Sequence, residues 1–157
     1  MDLNGSLTEL CELAEGWRRD GLVVVATNGC YDLLHPGHTR SLNWAKGQGD
    51  RLVVALSDDK SVRALKGPSR PIMPVADRME IVGALGCVDA VGWFSEPELR
   101  NYYAAMRPDI LVKGGEWTGD VEGQAEVEAT GGRVMLFPRI TEYSTTDVIE
   151  RIGRGDA

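Results

Sequence analysis

The spacing of apolar and polar residues along the chain changes between two periods, and this pattern predicts strands and helices in alternation. Short apolar runs predict five buried strands, at residues 22–26, 51–57, 90–93, 109–112 and 133–137. Stretches with apolar residues three or four positions apart predict helices at residues 6–20, 37–46, 58–66, 75–85, 97–106 and 121–130, and a last helix that starts near Thr145. Strands separated by helices of this length build βαβ units and a parallel sheet covered on both faces. We therefore predict an α/β fold with a Rossmann-like, doubly wound, five-stranded parallel sheet.

We expect one domain over residues 1–157, with an N-terminal helix within residues 1–20 and a core over residues 22–152. The sequence contains no internal repeat, linker or low-complexity tract, and 157 residues suffice for one well-buried core. A composition of 43% hydrophobic and 26% charged residues is typical of a globular protein.

The net charge of −7 argues against a nucleic-acid partner, because proteins that bind the phosphate backbone carry clustered lysine and arginine in excess. The three cysteines are far apart and form no CxxC pair, which favours neither a disulfide framework nor a zinc site. No apolar run is long enough for a transmembrane helix, and the start of the chain does not resemble a signal peptide. We expect a cytoplasmic protein that does not insert into a membrane.

Candidate chemistry is concentrated in the stretch TNGCYDLLHPGH at residues 27–38. It follows the first predicted strand and leads into a helix, whose free N–H groups and positive dipole end favour an anion. His35 and His38 are three residues apart with Gly37 between them, so both rings and the backbone can approach one small charged group. This arrangement predicts a binding site for a nucleoside triphosphate.

Other polar residues should join the same site. Thr27, Ser57 and Lys113 each lie at or just past the carboxyl end of a predicted strand. Ligands of parallel α/β sheets bind outside the carboxyl ends of the strands. We therefore expect the loops that carry these three residues to converge on one crevice.

The motif at residues 27–38 resembles the signature of the nucleotidyltransferase superfamily that contains the cytidylyltransferases. Within it, the chain is most similar to the adenylyltransferases that make ADP-heptose from a heptose 1-phosphate. Further blocks follow in that family's order, at residues 49–52, 61–67, 70–72, 77–79, 108–115 and 144–146. The segment 95–103 differs from the pattern of the heptose enzymes, which leaves the acceptor open.

The resemblance implies transfer of a nucleoside monophosphate to a phosphate ester with release of pyrophosphate. The attacking phosphate oxygen is already anionic, so the reaction needs positioning and charge stabilisation more than a general base. Magnesium normally keeps phosphate and water oxygens as ligands, so we expect Mg²⁺ to be held mainly by the phosphates, without a dedicated metal cluster in the protein.

The resemblance also assigns roles to residues. The catalytic group comprises His35, His38 and Lys66. The expected nucleotide-binding residues are Thr27, Asn28, Gly29, Tyr31, Asp32, Gly37, Arg78, Lys113, Gly114, Gly115, Ser144, Thr145 and Thr146. Possible substrate contacts are Asp58, Arg63 and Glu116, the last of which stands where the family usually has aspartate.

Three functions remain open on the sequence. The first is an adenylyltransferase that uses ATP and a heptose 1-phosphate, with the base near residues 113–117 and 139–143. The second is a cytidylyltransferase that makes a CDP-alcohol from CTP and glycerol 3-phosphate or a similar phospho-alcohol. The third is a nucleotide-binding module without catalysis. For each we expect a homodimer.

Overall fold

The computed structural model describes residues 4–5, 7–115, 119, 121–138, 140 and 142–155. The strands are β1 (Asn4–Gly5), β2 (Val24–Gly29), β3 (Arg51–Ser57), β4 (Ala90–Phe94), β5 (Ile110–Gly114) and β6 (Arg133–Phe137). The helices are α1 (Leu7–Arg19), α2 (Pro36–Lys46), α3 (Asp59–Lys66), α4 (Val75–Gly83), α5 (Leu99–Met106), α6 (Gln124–Glu128) and α7 (Thr145–Arg154), and one 3₁₀ turn (Glu96–Glu98) precedes α5.

The strands form one parallel sheet in the order β1-β4-β3-β2-β5-β6. All five predicted strands are present side by side, so the Rossmann-like, doubly wound, five-stranded parallel sheet is confirmed. In the part of the chain that the structure describes, β1 is an additional strand that pairs with Val91 and Gly92. The sequence did not predict β1, because two residues carry no periodicity.

Both faces of the sheet are buried, which explains why its strands are continuous apolar runs. Along β2, Val24 and Ala26 point into a core formed with α1, α5 and α6. Val25 points to the opposite face, into a core formed with α2 and α4. The sheet therefore has helices on both sides, and its two ends are left as the places where polar groups can collect.

Aspartates bind the backbone at the amino end of the sheet. The Asp109 carboxylate accepts a hydrogen bond from the Val24 N–H at 2.8 Å, and that of Asp89 accepts one from the Leu52 N–H at 2.7 Å. Asp89 is also paired with Lys46. Burial alone would raise the pKa of Asp89, but the bonds from Lys46 and Leu52 outweigh it and lower the pKa. These carboxylates thus fix the backbone at the amino end of the sheet.

Three strands, β2, β4 and β5, end later than predicted, and each extension lies at the carboxyl end. We predicted that β2 would end at Ala26, but it continues to Gly29, because β3 pairs with it as far as Gly29 and β5 as far as Thr27. Likewise β5 includes Lys113. Asn28 and Lys113 therefore lie in neighbouring regions of the sheet itself instead of in mobile loops. Helix α6 is shorter than the predicted 121–130.

No helix among the described residues is long and apolar enough to cross a membrane. The three cysteines, Cys11, Cys30 and Cys87, are free thiols. Burial raises the pKa of each thiol above its ordinary value. The thiolate is the reactive form of cysteine, so this shift makes all three less reactive at neutral pH.

Candidate active site

Three adjoining cavities open at the carboxyl end of the sheet, and His38 lines all of them. The largest two have volumes of 560 and 520 Å³, and the third, of 180 Å³, lies over the end of β2. The strand order reverses between β2 and β5, and this switch point is where α/β sheets bind ligands. We refer to the three cavities together as the crevice. Of the three residues expected to converge there, Thr27 lines the crevice, whereas Ser57 and Lys113 do not.

The two histidines each use one ring nitrogen to hold the start of α2. His35 is the N-cap residue, and its Nδ1 accepts a hydrogen bond from the Gly37 N–H at 3.1 Å. The Nδ1 of His38 accepts from the His35 N–H at 3.4 Å, and the two rings stack with centroids 3.8 Å apart. A neutral imidazole that accepts at Nδ1 carries its proton on Nε2. Each ring can therefore cap the helix and still offer one N–H donor to a ligand.

The surroundings keep both rings uncharged. Burial, reinforced by the neighbouring His35, lowers the pKa of His38 to about 4. Burial also lowers the pKa of His35, although Asp147 opposes the shift. Gly37 is required for this packing, because a Cβ there would lie 2.9 Å from the Cε1 atom of His35. The free protein thus presents two neutral Nε2–H donors beside a helix N-terminus.

Nitrogen-15 NMR of the imidazoles can test this assignment. We expect His35 and His38 to be Nε2–H tautomers at pH 7. We also expect His38 to stay neutral well below the ordinary histidine pKa of 6.5. A nucleoside triphosphate should raise the pKa of both rings, because an anion favours the charged form. An Nδ1–H tautomer, or a His38 that titrates near 6.5 in the free protein, would contradict the assignment.

Asp32 ties the phosphate loop, residues 30–35, to the segment that follows α3. Its buried carboxylate is 2.7 Å from Arg70 Nε and accepts backbone N–H bonds from Ile72 at 2.8 Å and Met73 at 3.0 Å. Burial alone would raise the pKa of Asp32, but these three bonds outweigh it and lower the pKa. We expected Asp32 to bind nucleotide. The structure corrects this role, since its carboxylate is already consumed by the protein.

The same loop holds an unfavourable backbone conformation. Tyr31 and Leu33, on either side of Asp32, have φ values of +49° and +54°. Residues other than glycine rarely occupy this left-handed region, because each costs about 1–3 kcal/mol and persists only where its surroundings impose it. Here the hydrogen bonds of the Asp32 carboxylate hold the two neighbouring residues in this conformation. Tyr31 is buried, and its ring packs 5.4 Å from that of His38, so the conformation shapes the crevice.

Replacing Asp32 with asparagine should lower the free energy of unfolding at pH 7 by about 3 kcal/mol, because a buried Arg70 would lose its partner. A carboxyl whose pKa is lowered by folding stabilises the protein above its unfolded pKa, and this contribution is lost as the pH falls through the folded pKa. Denaturant unfolding at a series of pH values should therefore show a weaker acid dependence in Asp32→Asn. The exposed Asp20→Asn is the control. Equal stabilities of the two variants would contradict a stabilising role for the contacts of Asp32 with Arg70, Ile72 and Met73.

Arg78 does not contact the crevice, so the expected phosphate contact is wrong. Its side chain is buried, and Nε donates to the Met73 carbonyl at 3.0 Å. Nη1 donates to the carbonyls of Cys30 and Ser57, at 2.6 and 2.9 Å. Nη2 pairs with Asp59 at 2.7 Å. Arg78 therefore joins the ends of β2 and β3 to the segment before α4. It stabilises the backbone that forms the site but does not itself line the crevice.

The three residues expected to contact the substrate are Asp58, Arg63 and Glu116. Asp58 is the N-cap of α3, accepting from the Ser61 N–H at 2.7 Å and from the Ser95 hydroxyl at 2.8 Å, so its carboxylate is consumed by the protein. Arg63 is exposed on α3 and does not line the crevice, which corrects the expected contact. Glu116 lies outside the described residues.

Lys66 is the exposed last residue of α3 and lines both larger cavities. It therefore lies where the sequence placed a catalytic lysine, facing the same space as the two histidines. Among the described residues, no group of three histidine, cysteine, aspartate or glutamate side chains could hold a metal ion.

The start of α7 forms the wall of the 560 Å³ cavity, through Ser144, Thr145 and Thr146. Ser144 is the N-cap and accepts from the Asp147 N–H at 3.0 Å. The Thr145 hydroxyl donates to the Asp32 carbonyl at 2.9 Å. The hydroxyl triplet is thus in the crevice as expected, and it also fixes α7 to the phosphate loop. Two helix N-termini, of α2 and α7, meet in one space.

The remaining expected nucleotide-binding residues lie at the strand ends. Thr27, Asn28 and Gly29 line the 180 Å³ cavity, and Gly114 and Gly115 line the 520 Å³ cavity.

Lys113 does not line the crevice but donates to the Asn28 carboxamide oxygen behind it. Burial lowers the pKa of Lys113, while Glu122 and Glu96 favour its charged form. The Lys113 ammonium is therefore directed to Asn28 and not into the crevice, where the expected nucleotide contact would be.

Aromatic side chains form one wall of the crevice, and no sequence motif pointed to them. Tyr143 lies parallel to His35, at 15° with centroids 6.4 Å apart, and Arg40 lies 5.2 Å from its ring centre. Phe137 and Ile140 line the same cavity. The sequence indicated the 139–143 loop as a place for the base but gave no reason to select Tyr143. Arg139, Thr141 and Trp117 lie outside the described residues.

Comparison with known proteins agrees with this geometry. The profile of a family described as cytidylyltransferase-like matches residues 26–151. Curated relatives include bifunctional protein HldE from Koribacter versatilis, 48% identical over 145 residues, which are 92% of this chain and 30% of that protein. The HldE protein from Syntrophotalea carbinolica is 47% identical over 151 residues, 96% of this chain and 30% of that protein. The chain thus spans about a third of the length of these relatives.

Two solved structures share the architecture. A lipopolysaccharide core biosynthesis protein from Thermoplasma volcanium superposes with a TM-score of 0.64 and 29% identity, covering 79% of this chain and all of that one. A pantoate-beta-alanine ligase from Francisella tularensis gives a TM-score of 0.60 at 13% identity, covering 98% of this chain and 77% of the ligase. At that identity the second likeness concerns the fold alone.

Proposed function

The chain belongs to the cytidylyltransferase-like family, and we propose that it is a nucleotidyltransferase that transfers AMP from ATP to a sugar 1-phosphate with release of pyrophosphate. A heptose 1-phosphate is the acceptor we favour. The observation that carries the proposal is the meeting of two neutral histidine donors and two helix N-termini in one crevice. Such groups stabilise phosphate charge without a compensating cation cluster, which suits a chain with a net charge of −7.

The chemistry asks little of the protein beyond placement and charge stabilisation. An oxygen of the acceptor phosphate attacks the α-phosphorus, and the bond from that phosphorus to the bridging oxygen breaks. The bonding electron pair leaves with pyrophosphate, so negative charge develops on the departing group. The Nε2–H groups of His35 and His38 would donate to these oxygens, and Lys66 would approach from the end of α3. Preorganised donors of this kind cost no reorganisation during the reaction.

Magnesium fits the site as an ion that arrives with the triphosphate. It would neutralise phosphate charge and orient the phosphate chain, using mainly phosphate and water oxygens. Asp32 and Asp58 are occupied by protein donors. The carboxylate that remains at the crevice, within the described ranges, is Asp147 at the start of α7. Asp147 is the residue that would help to hold the ion beside the phosphates.

The choice of ATP and heptose phosphate rests on similarity. The curated relatives are named HldE, and one solved structure is named a lipopolysaccharide core biosynthesis protein. The order of sequence blocks also favours the heptose enzymes. A cytidylyltransferase that acts on glycerol 3-phosphate or a similar phospho-alcohol is the second candidate, since it would need the same histidines and hydroxyls. The aromatic wall at Tyr143 suits either base.

A homodimer in the cytoplasm is part of the same proposal. Ile152 on α7 is 70% exposed, and burial of such a residue against a second chain would stabilise the pair. Light scattering on the purified protein would measure the assembly, and a monomer at micromolar concentration would overturn this part.

Pyrophosphate release tests the reaction. Purified protein and Mg²⁺ are supplied with ATP or CTP, each with heptose 1-phosphate or glycerol 3-phosphate. We expect release with ATP and the heptose phosphate. A clear preference for CTP with glycerol phosphate would promote the second candidate. Nucleotide that binds without turnover in any combination would indicate a binding module.

Variants of the crevice test the assignment of roles. His38→Ala should lower turnover by at least about a hundredfold, because it removes a preorganised donor to developing charge. Lys66→Ala should lower turnover more than nucleotide affinity, since a lysine at a helix end can approach as the reaction proceeds. The exposed Lys60→Ala, on the same helix, is the matched control. Unchanged turnover in His38→Ala, with folding retained, would remove that ring from the mechanism.

A further inference from the structure

The orientation of the Asn28 carboxamide is fixed by its neighbours. Its Oδ1 accepts one hydrogen bond from the Tyr103 hydroxyl at 2.8 Å and another from the Lys113 ammonium. An ammonium group can only donate, so the atom that faces Lys113 must be the oxygen of Asn28 and not its nitrogen. Both lone pairs of that oxygen are then in use, and the NH₂ group points away from Tyr103 and Lys113.

The NH₂ group of Asn28 has no acceptor among the described residues. Asn28 lines the 180 Å³ cavity together with Thr27 and His38. Two N–H donors therefore face the same crevice as the histidines, from the strand end on the opposite side of the phosphate loop.

Tyr103 is held firmly enough to direct Asn28. It is fully buried on α5, and its ring packs 5.4 Å from that of Tyr102. Gly123 has φ +88°, and a Cβ at this position would overlap the Tyr103 ring. The hydroxyl of Tyr103 thus approaches Asn28 from a fixed direction. The neighbouring Tyr102 is also buried, but its hydroxyl has no hydrogen-bond partner among the described residues.

We propose that Tyr103 and Lys113 hold and polarise the Asn28 carboxamide so that its NH₂ group donates to a phosphate oxygen of the reacting substrates. Asn28 is the residue that touches substrate, and Tyr103 is a positioning residue that acts through it. The inference rests on the proposed function, which supplies the phosphate groups.

The physical reason is cooperative hydrogen bonding. A cation that donates to an amide oxygen draws electron density from the amide nitrogen, which makes its N–H groups stronger donors. The positive charge of Lys113 is then delivered to an anionic oxygen without Lys113 itself entering the crevice. Because Asn28 already holds Lys113, the lysine side chain loses no further conformational entropy when phosphate binds. A lysine that had to reach the phosphate from solvent would lose it.

The kinetic test compares two adjacent buried tyrosines. Tyr103→Phe should lower kcat or raise KM by about fivefold, the effect of one net hydrogen bond of about 1 kcal/mol. Tyr102→Phe, which removes a hydroxyl without a partner, should leave both constants unchanged and should not lower the melting temperature. A raised KM for the acceptor would identify its phosphate as the recipient oxygen. An effect on the nucleotide KM, or on kcat alone, would identify the α-phosphate.

A double-mutant cycle separates positioning from general support of the fold. If Tyr103 acts through Asn28, then Tyr103→Phe should change turnover less than about twofold in an Asn28→Ala background. Asn28→Asp should be worse than Asn28→Ala, because it presents acceptors to phosphate and neutralises Lys113. Full additivity of Tyr103→Phe and Asn28→Ala, or kinetics of Tyr103→Phe equal to those of Tyr102→Phe, would overturn the proposal.

A binding measurement keeps the inference testable if the proposed reaction fails. Calorimetry with ATP and, separately, with inorganic phosphate needs no turnover. Asn28→Asp and Tyr103→Phe should each weaken binding of at least one probe relative to the wild type and Tyr102→Phe. Weakened binding without any pyrophosphate release would reject the proposed function and support the carboxamide as a phosphate contact. Unchanged binding of both probes, in a protein without turnover, would overturn the inference as well.

Discussion

The Asp32 carboxylate is the contact on which the crevice depends. The carboxylate oxygens accept hydrogen bonds from Arg70 and from the backbone N–H groups of Ile72 and Met73. The backbone carbonyl of Asp32 accepts one from the Thr145 hydroxyl. Three segments that are far apart in sequence, the phosphate loop, the chain after α3 and the start of α7, therefore meet at one residue. The left-handed residues beside it persist because these bonds impose them. This junction holds the N-termini of α2 and α7 so that they face the same crevice.

Two cations, Arg78 and Lys113, are used to build the site and do not line it. Arg78 is consumed by carbonyls and a carboxylate, and Lys113 is turned toward an amide oxygen. The groups that line the crevice are mainly neutral N–H and O–H donors, together with Lys66 and with Arg70, whose Nε pairs with Asp32. Neutral donors avoid the desolvation cost of a buried charge when the crevice is empty. This division explains how an acidic protein can offer a site for a highly charged ligand.

Much of the fold and the location of the site could be predicted from the sequence, because apolar runs and the residues 27–38 carry strong local signals. The roles of individual polar side chains could not. Asp32 and Arg78 lie in motif blocks, which suggested ligand contacts, but a motif does not reveal whether a charged group is consumed by its own protein. Tyr103 lies in the segment 95–103, which matched no expected pattern, and only its contact with Asn28 reveals its role. Long-range pairings of this kind leave no periodicity in the sequence.

The two-residue strand β1 has a consequence for how the molecule behaves among its copies. An open sheet ends in strands whose unpaired N–H and C=O groups can recruit a strand from another molecule. β4 is only five residues long, and β1 covers its middle at Val91 and Gly92. Trp93 on the same strand remains 44% exposed with β1 in place. A segment too short to be noticed in the sequence thus occupies backbone groups of β4 that would otherwise form the open edge of the sheet.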